Sequence, residues 1–389
     1  MAPALRSGQR PAARRPTPPR RKPGQKLGYL RCVPGGQRRQ ENGSSRIQCS
    51  GSCIRLAMRS RKTPPVHDID RDPRVRFAGE REELSAATLE RAASPTGEAK
   101  ERRLMYSRSE LANGFRQLGV VPGDTIMLHA SVRAVGEVAG GPDQIHLALK
   151  DALTTDGTLM MYASCPRYYD EVGRGHLTPA EERELVEKLP AFDPLTARAD
   201  RENGALVELL RSYPGALVNP HVARFVVWGR HAHHLIESQP WDYAFGSGSA
   251  LDRFTALGGK VLLLGSDHDN VTFLHYAEHI VDIPEKRVAR YRVPIEIDGS
   301  CTWRAMEEVD TNLGAHANWP DRFFARLVDT YLTRTNNAGA RVGDAPSFLF
   351  DARGLLALAL DVMKAVAADP RAADTLVPSL SPPPVTTSA

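Results

Sequence analysis

The chain has 389 residues, 41% of them hydrophobic and 25% charged, enough for one large α/β domain plus a tail. No run approaches the ~18 consecutive apolar residues of a membrane span, and the basic N-terminus lacks the apolar stretch of a secretory signal. Five cysteines in so long a chain argue against a disulfide framework and for a reducing compartment, the cytoplasm.

The net charge of +5 conceals two unlike regions. Residues 1–63 hold sixteen Lys or Arg against one acid, Glu41, whereas the remainder holds 35 basic and 45 acidic residues. An acidic body suits a polycationic ligand, because a negative cleft concentrates cations and speeds their arrival. Net charge of this size also serves solubility alone. The first 63 residues are rich in Arg, Pro, Gly and Ser and show no hydrophobic period, so they read as a disordered basic arm. Three readings of it compete: contact with nucleic acid or another polyanion, an Arg-rich targeting segment, or a start codon placed too far upstream, with Met58 and Met105 as alternative starts. Cys49 and Cys53 have no second pair to complete a zinc site, and no metal is expected. Residues 64–103 read as a linker with one short helix at 82–93. The chain thus divides into an arm and linker (1–103), a folded domain (104–368) and a Pro-rich tail (369–389).

Ser107 and Glu110 form a capping box, and Leu111, Phe115 and Leu118 then recur at helical spacing up to Gly119. After the Pro122-Gly123-Asp124 turn, 125–129 is a short apolar strand. A loop at 130–142 leads into a helix from Asp143 with Ile145, Ala148, Leu149, Ala152 and Leu153 on one side. Gly157 ends this stretch and 158–162 is the next strand. Strand, helix, strand in this order predicts a parallel pair, hence an α/β fold with helices on both faces of a mostly parallel central sheet. Residues 171–202, charged and turn-rich, read as an irregular insertion or lid. The apolar run 261–264 ends at Gly265 and a polar loop leads to a helix reaching about Val281. The last helix spans 355–367.

Ligands of open α/β sheets bind at the carboxyl ends of strands, and two strand ends carry polar groups. The first, His129-Ala130-Ser131-Val132-Arg133 with Gly136, offers backbone N–H groups, a hydroxyl and a guanidinium, a combination suited to pyrophosphate and equally that of an ordinary β-to-α loop. The second is His275-Tyr276-Ala277-Glu278: at i and i+3 the histidine and carboxylate share a helix face, where they form either a base with its orienting group or a surface ion pair. His231, His233 and His234 read as a solvated helix start. Cys165, beyond a strand end, lacks the surroundings of a nucleophile elbow and reads as a packing residue.

Six segments, in order, resemble the antibiotic N-acetyltransferase family, the aminoglycoside 3-N-acetyltransferases: MLHASVRAVGEVAGG (127–141), GTLMMYAS (157–164), AFDPLTARADRENGAL (191–206), GGKVLLLG (258–265), VTFLHYAEHIVDIPEKR (271–287) and SFLFDARG (347–354). The resemblance implies an α/β/α fold distinct from the split-strand acetyltransferase superfamily. It implies acetyl-CoA as donor, the 3-amine of a 2-deoxystreptamine ring as acceptor, direct transfer in a ternary complex, and antibiotic resistance as the outcome. It assigns His129, Ala130, Ser131, Val132, Arg133, Val135 and Gly136, with Tyr162, to CoA. It assigns Tyr169, Asp170 and Glu171 to the cationic sugar, and Asp193, Glu202 and Asp310 are further acids for its ammonium groups. His275, Glu278 and His221 take catalytic roles at the acceptor amine. At Asn219-Pro220-His221 the chain departs from the family, whose members carry a serine before the histidine and a proline after it, which bears on substrate range. The alternatives are acetylation of another small amine, such as a biosynthetic intermediate, or a catalytically idle CoA-binding protein. The oligomeric state is left open, with a dimer among the options.

Overall fold

The computed structural model describes residues 104–377. The basic arm, Cys49 and Cys53, the helix expected at 82–93 and the end of the tail lie outside the described residues. The strands are β1 (Thr125–Ala130), β2 (Thr158–Tyr162), β3 (Leu217–Val218), β4 (Phe225–Gly229), β5 (Lys260–Leu264), β6 (Val288–Ile297), β7 (Ser300–Val309), β8 (Ala340–Val342) and β9 (Ala345–Asp351). The helices are α1 (Arg108–Gln117), α2 (Val132–Val135), α3 (Asp143–Leu153), α4 (Pro179–Lys188), α5 (Ala205–Arg211), α6 (Ala232–Ile236), α7 (Ala250–Ala256), α8 (Leu274–Ile280), α9 (Phe323–Arg334) and α10 (Ala352–Ala368).

The central sheet has the order β3-β4-β2-β1-β5-β9-β8. Parallel pairing is confined to β2-β1-β5, joined by helical crossovers, while β4 and β9 run the other way. The sheet is therefore mixed, with five of its seven strands pointing in one direction. The physical reason lies in the connections: β8 and β9 are joined only through Gly343 and Asp344, a link too short for anything but an antiparallel hairpin.

Alternation along the central strands sorts their side chains into two cores. Ile126, Leu128, Leu159, Met161, Leu262 and Leu264 face α1, α3 and α5. Met127, Met160, Val261 and Leu263 face the opposite way, onto α6 to α10. Strands covered on both sides read as continuous apolar runs, as these do. The Ser107–Glu110 capping box begins α1, and the five apolar positions expected of α3 are all buried.

Two features depart from the sequence reading. The 171–202 stretch contains a regular helix, α4, opened by a Thr178–Glu181 capping box with Pro179 in its first turn; none of its residues is buried, so it is held by its caps rather than by a core. The β6–β7 hairpin forms a separate two-stranded sheet. It packs Tyr291, Val293, Ile295 and Met306 against Phe192, Val222 and Cys165, and the Phe192 N–H donates to the Pro294 carbonyl at 2.7 Å. At the chain's end, Pro370–Thr375 forms a 3-10 turn that returns Ala373 and Leu376 to the core beside α10.

Candidate active site

A cavity of about 1670 Å³ opens at the carboxyl ends of β1, β2 and β5. Its walls are the β1 end and α2 (His129 to Ala134), Tyr162, the 202–205 turn, the loop after β5 (Gly265 to Asn270), His275, the last turn of α9 with Asn336 and Asn337, and Phe348. Most ligand pockets measure about 300–1,000 Å³, so this one has room for two substrates at once. Gly265 makes the close approach of the walls feasible: at φ +62° a Cβ there would lie 2.4 Å from the Ala134 Cβ.

The pair expected at the start of α8 is formed. His275 Nδ1 lies 2.8 Å from Glu278 Oε2. The other carboxylate oxygen accepts from the Ala315 N–H at 3.0 Å and the Trp319 indole N–H at 2.9 Å. Burial, the largest single influence on Glu278, acts to raise its pKa, but the His275 hydrogen bond and charge with the two N–H donors outweigh it and hold the group below the ordinary carboxylate range. The lowered Glu278 carboxylate accepts from His275 Nδ1, so Nε2 is the ring nitrogen left for a ligand. The ring is 22% exposed and borders the cavity, and Nε2 has no hydrogen-bond partner among the described residues.

At the end of β1, the Ser131 hydroxyl caps α2 by accepting from the Ala134 N–H at 3.3 Å. Arg133 is exposed and reaches the cavity. His129 also lines it, with Nε2 buried and without a partner. Burial, then the charge of His275, pushes its imidazole down to about 4, so at neutral pH it is an uncharged ring with an unsatisfied nitrogen. Such a nitrogen beside a loop bearing a cation fits a polar, anionic ligand such as CoA.

The family model of aminoglycoside 3-N-acetyltransferases matches residues 127–364. Among characterised relatives, the aminoglycoside N(3)-acetyltransferase III of Pseudomonas aeruginosa is 40% identical over 66% of this chain and 92% of its own length. The type VIII enzyme of Streptomyces fradiae is 37% identical over 63% of this chain and 87% of its own. Two solved structures share the fold: AAC-IIIb with CoASH (TM-score 0.63, 37% identity, 67% of this chain and 97% of that one) and AAC-VIa bound to sisomicin (TM-score 0.62, 34% identity, 67% and 98%). The chain belongs to this family of acyltransferases. Its donor co-substrate is accordingly acetyl-CoA.

In this acetyltransferase the remaining predicted residues fall in three settings. Ala130, Val132, Tyr162 and Glu202 line the cavity. Val135 is fully buried in the core, and Gly136, at φ +88°, closes α2; a Cβ there would meet the Asp344 carboxylate at 2.6 Å. The others are engaged outside the cavity lining. Asp170 accepts from Arg174 at 3.2 Å, Glu171 pairs with His176, and Tyr169 stacks on Phe192 at 5.1 Å. Asp193 and Asp310 accept N–H groups of their own turns, from Leu195 at 2.9 Å and from Asn312 at 3.1 Å. His221 is 1% exposed: Nδ1 accepts from the Ala223 N–H at 2.9 Å, and Nε2 donates to the Trp241 carbonyl at 3.1 Å. Its location two residues after the departure at Asn219 has a local cause, since the Asn219 side chain bonds the backbone of Ala223 and Phe225 across the β3–β4 turn.

The cavity also carries groups absent from the sequence reading. His268 Nδ1 meets Asp329 Oδ1 at 2.6 Å, Asp267 accepts from Arg322 at 2.7 Å, and Asp269 accepts from the Ala325 N–H at 3.0 Å. The strand-end rule applied to β5 as to β1 points to Asp267, His268 and Asp269; nothing local points to Asp329, on α9, or to Asn336 and Asn337, just beyond its end. Among the described residues no cluster of three or more His, Cys, Asp or Glu is placed to hold a metal, and no helix is long and apolar enough to cross a membrane.

Proposed function

We propose that the chain acetylates the 3-amine of the 2-deoxystreptamine ring of aminoglycosides, by direct transfer within a ternary complex in the 1670 Å³ cavity, with His275 as proton acceptor and Glu278 as its orienting group. The observation that carries this reading is the His275 ring: one nitrogen is locked on a buried carboxylate and the other faces the cavity without a partner.

An ammonium has no lone pair and must lose a proton before it attacks a thioester. When bound, acetyl-CoA supplies the acyl carbon; the C–N bond forms as the C–S bond breaks, the amine proton passes to His275 Nε2, and CoA leaves as a thiolate that takes up a proton from His275 or water to give the free thiol. Positioned bases of this type contribute about 10²–10⁴-fold. His129, Ser131, Arg133 and the backbone of α2 hold the anionic donor, and Glu202, whose side chain is exposed on the opposite lip, meets an ammonium group of the drug. His221 acts from outside the cavity, by fixing the Trp241 backbone. We place the reaction in the cytoplasm, with resistance as its consequence.

The test is thiol release from acetyl-CoA with a panel of deoxystreptamine drugs, with the acetylated nitrogen located by NMR. Turnover with acetylation at N3 is expected. Turnover only with other amines would transfer the reading to a biosynthetic acceptor, and no turnover with any amine would mark an idle CoA-binding protein.

A further inference from the structure

One helical turn beyond His275, α8 carries His279, which pairs with Glu308 of β7, and no step above uses this second histidine–glutamate pair. His279 and Glu308 are almost fully buried, at 1% and 5% side-chain exposure. His279 Nδ1 lies 2.6 Å from the His275 carbonyl, and its Nε2 meets Glu308 Oε1. Glu308 accepts in turn from the Ala244 N–H at 2.7 Å and from its neighbour Val309 at 3.0 Å. Each carboxylate oxygen of Glu308 thus receives one backbone N–H. Both ring nitrogens of His279 therefore face oxygen atoms, a main-chain carbonyl and a carboxylate, and the ring is fixed at both ends.

The pair joins three elements that reach the cavity differently. His279 is on the catalytic helix, Glu308 is on β7 of the separate hairpin, and Ala244 belongs to the loop before α7. The residue after Ala244 is Phe245, whose ring packs on His275 (5.6 Å between centroids), on His279 (5.7 Å) and on Tyr162 of the cavity wall (5.6 Å). The same loop is tied again through Tyr243, whose N–H donates to the Glu307 carbonyl at 2.9 Å.

We infer that His279 and Glu308 form a positioning pair for the reaction: their hydrogen-bonded contact fixes the Phe245 ring against His275 and so sets the angle at which His275 Nε2 meets the acceptor amine. This rests on His275 being the proton acceptor. A buried polar pair of this kind is a poor source of net stability, since its desolvation offsets most of its attraction, whereas removing one partner leaves a buried polar group without its bond.

The experiment compares full-length Glu308→Gln, His279→Gln, the double variant and His275→Asn in steady-state kinetics, each with a thermal melt. Glu308→Gln is expected to lower kcat about 10–100-fold with KM for acetyl-CoA within about threefold, because misalignment of the base acts on the chemical step rather than on donor binding. His279→Gln keeps an N–H donor toward Glu308 and is expected to lose less. The double variant is expected to be no worse than Glu308→Gln, as for two residues acting as one unit. The inference is overturned if folded Glu308→Gln and His279→Gln keep at least half the wild-type kcat, or if their losses lie wholly in KM for acetyl-CoA. If Glu308→Gln does not fold, His279→Gln decides by the same criteria; failure of both to fold overturns the inference and makes the pair a structural element only. Retained activity in His275→Asn would instead overturn the assignment of the base.

Discussion

His275 and His221 are both histidines set near acceptor-side loops, and the structure uses them in opposite ways. His275 binds a carboxylate with one nitrogen and presents the other to a cavity. His221 has both nitrogens committed to backbone groups, Ala223 N–H and Trp241 C=O, in a closed environment. Burial pushes the His221 imidazole down to about 4, so protonating it opposes both its desolvation and its bond from the Ala223 N–H. The difference teaches that residue type and motif do not separate the two rings, whereas the partner of the second nitrogen does.

The largest effect that would break this contrast is at His275. His275→Asn is expected to lower kcat by about 10²–10⁴-fold with little change in KM for acetyl-CoA, measured by thiol release. A loss below about tenfold would return His221 to contention. His221→Asn, which keeps an acceptor for the Ala223 N–H but loses the donor to Trp241, is expected to cost about 1–3 kcal/mol of stability in denaturant unfolding, with a kcat loss far below that of His275→Asn.

The contrast also has a pH signature. His129, His146 and His221 are each depressed from 6.5 to about 4, by burial first in every case. Across that window the unfolded chain binds protons that the folded chain refuses, so the contribution of these three rings to stability is full above about 6.5 and is lost as pH falls toward about 4. Unfolding followed from pH 7 to pH 4 should show that slope, and His221→Asn should flatten it. A slope unchanged in His221→Asn would mean that the ring titrates alike in the folded and the unfolded chain.

A smaller effect is expected at the cavity lip. Glu202→Gln should raise KM for a polycationic drug about 3–10-fold at low salt and less at high salt, with kcat nearly unchanged, as for one exposed charge contact. Equal KM values at both salt levels would remove Glu202 from acceptor binding.

What was legible in the sequence follows the same division between local and assembled features. The α1 capping box, the five apolar positions of α3 and the β1–α3–β2 unit are set by neighbours in the chain, and periodicity reads them. The His275–Glu278 pair is local too, at i and i+3 of one helix. The β6–β7 hairpin has a local signal as well: Asp298-Gly299, at φ +51° and +76°, is the turn dipeptide that joins two strands directly. Thr178-Pro179 with Glu181 likewise announced α4. The acids at 170, 171, 193 and 310 looked alike in sequence, and only their local partners, Arg174, His176, the Leu195 N–H and the Asn312 N–H, separate them from Glu202. Pairings made across the fold, such as His268 with Asp329 or His279 with Glu308, have no signal within a window of sequence.

His146 and Lys150 carry the contrast to its limit, because there the polar atoms are neither open to a ligand nor spent on the backbone. Both His146 nitrogens and the Lys150 Nζ are buried without hydrogen-bond partners. Lys150 Nζ sits 3.4 Å from the centroid of the Tyr213 ring and 4.5 Å from that of Trp228. Cation–π attraction of about 2 kcal/mol for a desolvated ammonium offsets part of the burial cost. It does not cancel it, since burial, with the Arg108 charge second, pushes Lys150 from 10.5 down to about 7. The unfolded chain then binds more protons between about 7 and 10.5, so wild-type stability rises with pH across that window and is lowest at or below neutrality. Lys150→Met replaces the ammonium with an apolar chain of similar length and is expected to raise stability at pH 7 by about 1 kcal/mol, without change in kcat. The gain should shrink as pH rises, because the wild-type penalty fades while the variant has no such titration. A variant less stable than wild type at pH 7 would show that the two rings hold the cation more strongly than its burial opposes it, and that a polar group closed off from both water and hydrogen bonds is satisfied here by aromatic faces alone.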